Sequence, residues 1–267
     1  MTINETLKPL ATSPLTSRMA SQARGGSKMQ AVQLTARIAA ILYLVITVAA
    51  IVAHGVVPGN LFVAGDAAAT ASHIAASESM LRFGGIGGEL VILLSEIVLS
   101  VLLYVLLKPV NKTLSLLAAV ARLVMTTIHG LNLLNYFFVL QLVGGASSQS
   151  VAAFSTDQLQ ALALLFINAH HYGFEIGIAF LSVHAVILGY MIFKSGYFPR
   201  LLGVLFMVAA AGYFVDSFGQ LLFANYGTTT PAFITIPIVL GEIAFPLWLL
   251  IKGVNVKGWE KRALETA

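Results

Sequence analysis

The feature that most constrains this chain is a series of apolar segments, each at least as long as a bilayer is thick. Six such segments can be placed, at about residues 32–54, 82–107, 113–142, 159–192, 199–224 and 231–252. A helix needs roughly 20 apolar residues to cross a hydrocarbon core about 30 Å thick. Because lipid offers the backbone no hydrogen-bond partner, each segment must be helical. The sequence therefore predicts an all-α, polytopic membrane protein with six transmembrane helices.

Composition excludes several classes of protein. Hydrophobic residues make up 58% of the 267 residues and charged residues 10%, whereas a soluble domain has about 25% charged residues. The absence of cysteine excludes disulfides, thiolate metal sites and thiol catalysis. The net charge of +4 does not indicate a nucleic-acid partner, because the basic residues lie at the ends of the spans. The lipid bilayer is the predicted partner.

Basic residues are concentrated in the two tails and in the second and fourth connections between the spans. They are Lys8, Arg18, Arg24, Lys28, Lys108, Lys112, Lys194, Arg200, Lys252, Lys257, Lys261 and Arg262. The other connections contain almost none, apart from Arg82 at the start of the second span. By the positive-inside rule, both termini are predicted to be cytoplasmic.

The chain is predicted to form one transmembrane domain, residues 31–255, between two cytoplasmic tails. Residues 1–30 are rich in Ser, Thr and Ala and lack an apolar stretch of signal-peptide length, so they are predicted to be a disordered tail. A transit peptide, which is also basic, hydroxylated and poor in acids, is the alternative interpretation. Residues 256–267 form the second tail. Short amphipathic helices are expected in the outer connections, after Asp66 and at Ser155–Gln158, which resembles a capping box.

Ionisable side chains within the predicted spans are the strongest functional signal. They are Glu89, Glu96, Arg122, His129, His170, His171, Glu175, Asp216 and Glu242. A charged side chain costs ~2.5–3.5 kcal/mol at the centre of a membrane helix, so such residues normally pair or line a wet cavity. Counted from the outer ends of the spans, all nine lie between the outer third and the midplane. The sequence therefore predicts one polar cavity that opens toward the outer face.

Helical spacing predicts which of these residues share a face. Glu89 and Glu96 are seven residues apart and lie on one stripe of the second span. His171 and Glu175 are four residues apart and also share a face, whereas His170 is turned by about 100°. We therefore expect His171 and Glu175, and not His170, to face the cavity.

The cavity is interpreted first as a site for a metal ion or a small ligand, such as a small molecule or a lipid. The residues predicted to form it are Glu89, Glu96, Arg122, Glu175, Asp216 and Glu242. A metal site is a more specific version of this hypothesis, with zinc or iron bound by His129, His171 and Glu175. Such a metal would activate water for the hydrolysis of a lipid amide or ester, as in a membrane-embedded hydrolase.

Three alternatives stay open at the level of the sequence. The first is haem held between His129 and either His170 or His171 as axial ligands. The second is a proton-coupled transporter or sensor, in which His and carboxylate groups near the midplane titrate. The third is an accessory subunit whose polar core is only structural.

Several individual residues are expected to have structural roles. Arg122 is predicted to form a salt bridge with Glu89, Glu96 or Glu175, which would lock neighbouring helices together. His184 is expected to donate a hydrogen bond between two helices.

Small and amide residues carry further predictions about packing. Gly84 and Gly88 form a small-xxx-small pair, which is typical of close helix contact. Asn132, Asn135 and Tyr136 extend the polar stripe of the third span and would join it to a neighbour. Arg37, near the cytoplasmic end of the first span, is expected to reach the lipid head groups.

Three runs of sequence carry a resemblance to a known family. They are ARIAAILY at Ala36–Tyr43, LYVLLKPVNK at Leu103–Lys112 with ARLV at Ala121–Val124, and GEIAFPLWLLIKG at Gly241–Gly253. These runs resemble the bacterial membrane proteins of domain-of-unknown-function family 4386, over about residues 31–255. The resemblance implies six helices and a location in the bacterial cytoplasmic (inner) membrane. It implies no activity.

Overall fold

The computed structural model describes residues 14–144, 153–226 and 230–266, which are helical and contain no strand. The helices are α1 (Pro14–Ala50), α2 (Val57–Leu61), α3 (Ala67–Ala76), α4 (Gly88–Leu107), α5 (Lys112–Asn132), α6 (Leu134–Val143), α7 (Thr156–Ser195), α8 (Arg200–Leu222), α9 (Ala232–Ile251) and α10 (Val256–Glu265). Two π-helical segments accompany them. Ile51–Val56 joins α1 to α2, and Met80–Gly87 leads into α4.

Within the described part of the chain, six helical spans are long and apolar enough to cross a membrane. They are span one (Met29–Leu61), span two (Met80–Leu107), span three (Lys112–Val143), span four (Thr156–Ser195), span five (Arg200–Leu222) and span six (Ala232–Ile251). Each span coincides with one of the six predicted segments. The prediction of an all-α protein with six transmembrane helices is therefore confirmed.

Of the two short helices predicted in the outer connections, the structure shows the one after Asp66, whereas Ser155 caps the start of span four itself. The Asp66 carboxylate accepts a hydrogen bond of 2.9 Å from the Ala69 amide, and α3 follows it. Ser155 and Gln158 form a reciprocal capping box at the start of α7. The capping box satisfies two backbone donors that the helix itself leaves unpaired. Residues 145–152 of the same connection lie outside the described part of the chain.

Both predicted tails contain helix. α1 begins at Pro14, so helix extends into residues 14–30 of the segment predicted as a disordered tail, while residues 1–13 lie outside the described residues. The segment at residues 256–267 contains α10, which begins after Asn255 accepts a hydrogen bond from the Gly258 amide. Ala, Met, Lys and Arg favour helix in the first segment, and the Asn255 cap favours it in the second.

The six spans form a closed ring in chain order. Each span packs against the next, and span six returns to pack against span one. An even number of crossings brings both ends of the bundle to the same side. We call this side the tail side, because residues 252–266 lie there, and the other the loop side, which carries α3. The α3 helix packs against α6 and α7.

The apolar core is divided into two clusters along the membrane normal. The tail-side cluster includes Leu106 of span two and Leu188 of span four, and the loop-side cluster includes Val139 of span three and Ile167 of span four. In span four the loop-side cluster ends at Ile167 and the tail-side cluster begins at Ala185. In span four the buried ionisable residues His170, Glu175 and His184 lie between these two clusters.

Spans one and two approach each other closely at the predicted small-xxx-small pair. A Cβ atom at Gly84 would lie 2.8 Å from a Val57 methyl group, and one at Gly88 would lie 3.2 Å from the Ala53 Cβ. The expected close packing is confirmed. It brings the π-helical segments of the two spans into contact at the loop side.

Candidate functional site

Three spans depart from regular α-helix at similar depth on the loop side. The Ile51–Val56 π-helical segment contains His54, and the Met80–Gly87 segment ends two residues before Glu89. Span three is interrupted at Leu133, between α5 and α6. Widened π-helical turns are frequent at functional sites. This irregular layer is therefore the first candidate for a functional site.

His54 and Glu89 form a close pair between spans one and two. The His54 Nε2 atom lies 2.5 Å from the Glu89 Oε1 atom. Glu89 is 2% exposed, whereas the His54 side chain is 28% exposed. The second carboxylate oxygen, Oε2, is buried and has no hydrogen-bond partner among the described residues. Leaving a buried acceptor unpaired is unfavourable by roughly 1–3 kcal/mol, more when it is charged.

Two further histidines lie near this carboxylate. Glu89 interacts electrostatically with His129 and His170 as well as with His54. The His129 ring stacks on the Phe174 ring with centroids 4.9 Å apart, and the His54 ring meets the same phenylalanine edge-on at 4.7 Å. His54, Glu89, His129 and His170 thus form what we call the histidine–glutamate cluster.

Two glycines of span four leave room for polar side chains of span three. A Cβ atom at Gly177 would overlap the His129 imidazole, and one at Gly173 would overlap the Asn132 amide. Because these atoms are absent, His129 Nε2 reaches the Phe174 carbonyl oxygen at 3.0 Å. The Asn132 amide likewise donates to the His170 carbonyl oxygen at 2.8 Å. The role predicted for Asn132 as a link between helices is confirmed.

His170, and not His171, faces the cluster. The His170 ring is 7% exposed and stacks on the Tyr136 ring at 3.8 Å between centroids. His171 is partly exposed, and its ring lies near Tyr172. The expectation that His171 faces the site and His170 points elsewhere was therefore wrong.

The physical reason is the helical stripe that span four presents to span three. Its buried members are Ala163, Ile167, His170, Gly177 and His184, at intervals of three, four or seven residues. Residue 171 falls off this stripe. Glu175 lies on a neighbouring stripe with Ser182 and Gly189, and a Cβ at Gly189 would lie 2.8 Å from the Gly203 carbonyl oxygen of span five. Among the described residues, no hydrogen bond joins His171 to Glu175.

A second cluster, deeper in the bundle, is centred on Arg122. Its Nε atom donates to Glu96 Oε2, and its Nη2 atom donates to Glu96 Oε1 at 2.8 Å. Its Nη1 atom donates to the Tyr43 hydroxyl at 3.2 Å and lies 2.9 Å from His184 Nε2. This arginine cluster joins spans one to four. The predicted salt bridge of Arg122 is confirmed, with Glu96 as the partner.

His184 has the structural role predicted for it. Its Nδ1 atom lies 2.9 Å from the Ala118 carbonyl oxygen, so Nδ1 carries the hydrogen. The Nε2 lone pair then accepts from Arg122, which holds the imidazole in its neutral form. Glu242, at the edge of this cluster, accepts a hydrogen bond of 3.3 Å from the Tyr213 hydroxyl.

A third cluster surrounds Asp216 on the loop side of span five. The Asp216 carboxylate accepts hydrogen bonds from Gln220 at 3.1 Å, Tyr226 at 3.1 Å and Thr230 at 2.7 Å. Glu175 interacts electrostatically with Asp216 across the interface of spans four and five. The residues predicted to line one cavity are thus distributed over three clusters with different partners.

Replacing Tyr226 with phenylalanine should destabilise the protein by about 1 kcal/mol, the net value of one hydrogen bond. Burial, together with the hydrogen bond and charge of Asp216, raises the pKa of Tyr226. The neutral hydroxyl is the donor, so its contribution is full below the usual tyrosine pKa of about 10 and is lost as pH rises through the raised value. Thermal unfolding at pH 8 and at high pH measures this.

The matched control is Tyr190→Phe, since Tyr190 is 44% exposed on the outside of span four. Its unfolding temperature should equal that of the unmodified protein at every pH. If Tyr226→Phe were as stable as this control at pH 8, the bond to Asp216 would contribute nothing.

The geometry gives the metal and haem hypotheses little support. Among the described residues, no group of three or more His, Asp or Glu side chains could hold a metal ion. His129, His171 and Glu175 are therefore not brought together as a ligand set. His129 is bonded through Nε2 to Phe174, and His170 stacks on Tyr136, so neither ring is presented as an axial ligand for a shared haem.

His54 is the site residue that the sequence analysis missed. It lies near the loop-side end of span one, where a histidine is expected at the membrane interface. The available signal was the Gly84 and Gly88 pair in span two, which predicts a close helical neighbour just before Glu89. Had span one been assigned as that neighbour, His54 would have been placed at the depth of Glu89.

A ring of six apolar spans around buried ionisable clusters defines an integral, multi-pass membrane protein. Residues 38–253 match the family described as Domain of unknown function (DUF4386), and the chain belongs to that family. An uncharacterized protein of Archaeoglobus fulgidus is 29% identical over 166 residues, which cover 62% of this chain and 82% of the archaeal protein. No solved structure matches the chain.

These comparisons confirm the family resemblance and leave the finer location as a prediction. Because this relative is archaeal, it does not support a bacterial inner membrane in particular. The orientation with both termini in the cytoplasm also stays a prediction from the positive-inside rule.

Proposed function

We propose that this membrane protein is a proton-coupled transporter or sensor, and that its proton binds at the histidine–glutamate cluster. The observation that carries the proposal is the Glu89 carboxylate. One oxygen is held by His54, and the other is buried without a donor among the described residues. A proton on Oε2 would remove the charge that burial disfavours.

The pair also has a route by which a proton can arrive. The His54 ring is partly exposed while Glu89 is buried, so His54 can exchange a proton with the loop side and pass it to the carboxylate. Histidine suits this role because its two ring nitrogens can accept and donate a proton in turn. The irregular helices around the pair support a functional role for it, since π-helical turns are frequent at functional sites.

The other clusters are less suitable for this function. Arg122 has all three nitrogens engaged and neutralises Glu96, so that cluster has a structural role. Asp216 accepts three hydrogen bonds. A metal-dependent hydrolase is not proposed, since the described residues offer no metal ligand set.

A small ligand is the second candidate, favoured by the same unpaired oxygen. A ligand with an N–H or O–H group could donate to Glu89 Oε2 in place of the proton. Glu175, Asp216 and Glu242 would then be neighbours of the site rather than ligands, because their described contacts are with other residues.

The Glu89→Gln variant tests the proton site. On acidification, the purified protein should take up protons and develop the infrared band of a buried protonated carboxyl group. The variant should lose that band and take up about one proton fewer per chain, because Gln does not titrate. The readouts are infrared difference spectroscopy and potentiometric titration.

Glu78→Gln is the matched control, since Glu78 forms an exposed pair with Arg82 in which both side chains are 50% exposed. It should keep the buried-carboxyl band. An unchanged band in Glu89→Gln would sink the proposal, because Glu89 would then hold no exchangeable proton.

A further inference from the structure

A groove on the tail side lies between span one and α10. Its volume is about 380 Å³, and it is lined by Met29, Gln30, Gln33, Leu34, Arg37 and Val256. Three of these side chains are apolar, two are amides and one is a guanidinium. The lining thus combines a surface for hydrocarbon with a single cationic group.

The groove is built by hydrogen bonds between the two ends of the bundle. Gln33 donates to the Val254 carbonyl oxygen at 2.7 Å, and the Val254 amide donates back to the Gln33 oxygen at 3.2 Å. Gly253 makes this possible: its φ of +67° disfavours other residues, and a Cβ there would overlap the Gln33 amide. The Trp259 indole nitrogen donates to the Leu106 carbonyl oxygen at 2.9 Å and holds α10 in place.

A positive side chain, Arg37, lines the groove, and the lining contains no acidic residue, although Glu260 lies on α10. Arg37 and Lys257 are exposed, and neither forms an ion pair or hydrogen bond among the described residues. Lys257 adjoins Val256 at the groove, and Lys261 lies one turn further along the same face of α10. In α10 the acid Glu265 is already paired with Arg262 at 3.2 Å.

The groove lies at the depth of the lipid head groups. Span one has 33 residues, which rise about 50 Å, some 20 Å more than the hydrocarbon core. Shared equally between both ends, the excess of about 10 Å at each end puts the boundary of the core about 2 Å from Arg37, where a long cationic side chain reaches the phosphates.

We propose that this groove binds one anionic phospholipid of the tail-side leaflet. Arg37 and Lys257 would contact the phosphate and the charged head group, and Met29 and Leu34 would pack beside that head group. An acyl chain would run from there toward the core along the exposed Ile38 and Ile41. Charge complementarity supports this occupant over a zwitterionic lipid. The binding is independent of the proton site, which lies at the other end of span one.

Lipid titration of the purified full-length protein tests the site. In maltoside detergent, phosphatidylglycerol should bind more tightly than phosphatidylcholine of the same acyl chains, as read by native mass spectrometry and by the shift in unfolding temperature. Arg37→Gln and Lys257→Gln should each weaken phosphatidylglycerol binding about fivefold, the effect of one basic residue at an anionic surface.

Lys194→Gln is the control, because Lys194 is an exposed tail-side cation outside the groove. It should leave the affinity within twofold. Equal binding of the two lipids would overturn the proposal. So would an equal loss of phosphatidylglycerol affinity in Lys194→Gln, because the attraction would then come from the overall positive charge of the tail side. Stabilisation by inorganic phosphate to the same extent would also overturn it, since the ligand would then be a soluble anion.

Discussion

Replacing Arg122 with glutamine is expected to destabilise the bundle by about 3–5 kcal/mol, the loss typical when one partner of a buried ion pair is removed. Arg122 and Glu96 are both about 3% exposed. Without the guanidinium, the Glu96 carboxylate would stay buried and unpaired, and both Tyr43 and His184 would lose their contact with Arg122. Thermal unfolding in detergent and mixed-micelle denaturation measure the change.

The matched control is Arg82→Gln. Arg82 pairs with Glu78 in the exposed start of span two, and each side chain is 50% exposed, so the loss should be below about 1 kcal/mol. The double variant Arg122→Gln/Glu96→Gln separates charge from packing. It should recover a large part of the stability, because no charge then stays buried. Equal losses in the single and double variants would contradict the ion-pair explanation.

The fold was predictable because lipid restricts the backbone so strongly. Apolar length alone located all six spans, and the Asp66 and Ser155 caps located the starts of α3 and α7. The helix at residues 256–265 was not predicted, because its stability comes from docking. Trp259 donates a hydrogen bond to the Leu106 carbonyl, and Gln33 donates one to the Val254 carbonyl. Such contacts with distant residues cannot be predicted from the local sequence of the tail.

The depth of the buried residues could be predicted from the sequence, but which of them contact one another across helices could not. Helical spacing placed Glu89, Arg122 and Glu175 in one layer, and each is buried. Spacing gives the angle between residues of one helix, but it does not give the rotation of that helix against its neighbours. That rotation was decided by Gly173 and Gly177, which open one stripe of span four to Asn132 and His129. His170 rather than His171 was therefore brought to the cluster.

The two buried carboxylates of span two illustrate how structure and function can be told apart. Glu96 is held at both oxygens by Arg122, so any added proton would compete with a fixed cation. Glu89 is held at one oxygen by a group that is itself titratable and partly exposed. A fully satisfied network stabilises a single arrangement, whereas a partly satisfied one is open to a proton or a ligand. This difference is why the proposed function is placed at Glu89.

The second large effect is expected at Gly177, which leaves room for the His129 ring. Gly177→Ala should destabilise the protein by about 3 kcal/mol, because overpacking in a tight interface forces side chains and backbone apart. The new Cβ would overlap the His129 ring. Removing the ring should relieve the overlap, so His129→Ala/Gly177→Ala should be more stable than the sum of the single losses predicts. An interaction energy of about 1–3 kcal/mol is expected from such a double-mutant cycle, measured by thermal unfolding.

Gly130→Ala, in the same layer of span three, distinguishes this effect from a general sensitivity to alanine. A Cβ at Gly130 would meet only a Leu93 methyl group, at 3.8 Å. Since alanine is a better helix former than glycine by about 1 kcal/mol, this variant should be neutral or stabilised. Strictly additive losses at positions 129 and 177 would mean that the two helices can separate without cost. The close contact of spans three and four, in which His129 reaches the Phe174 carbonyl, would then not position the histidine–glutamate cluster. The proton site would have to be formed by His54 and Glu89 alone.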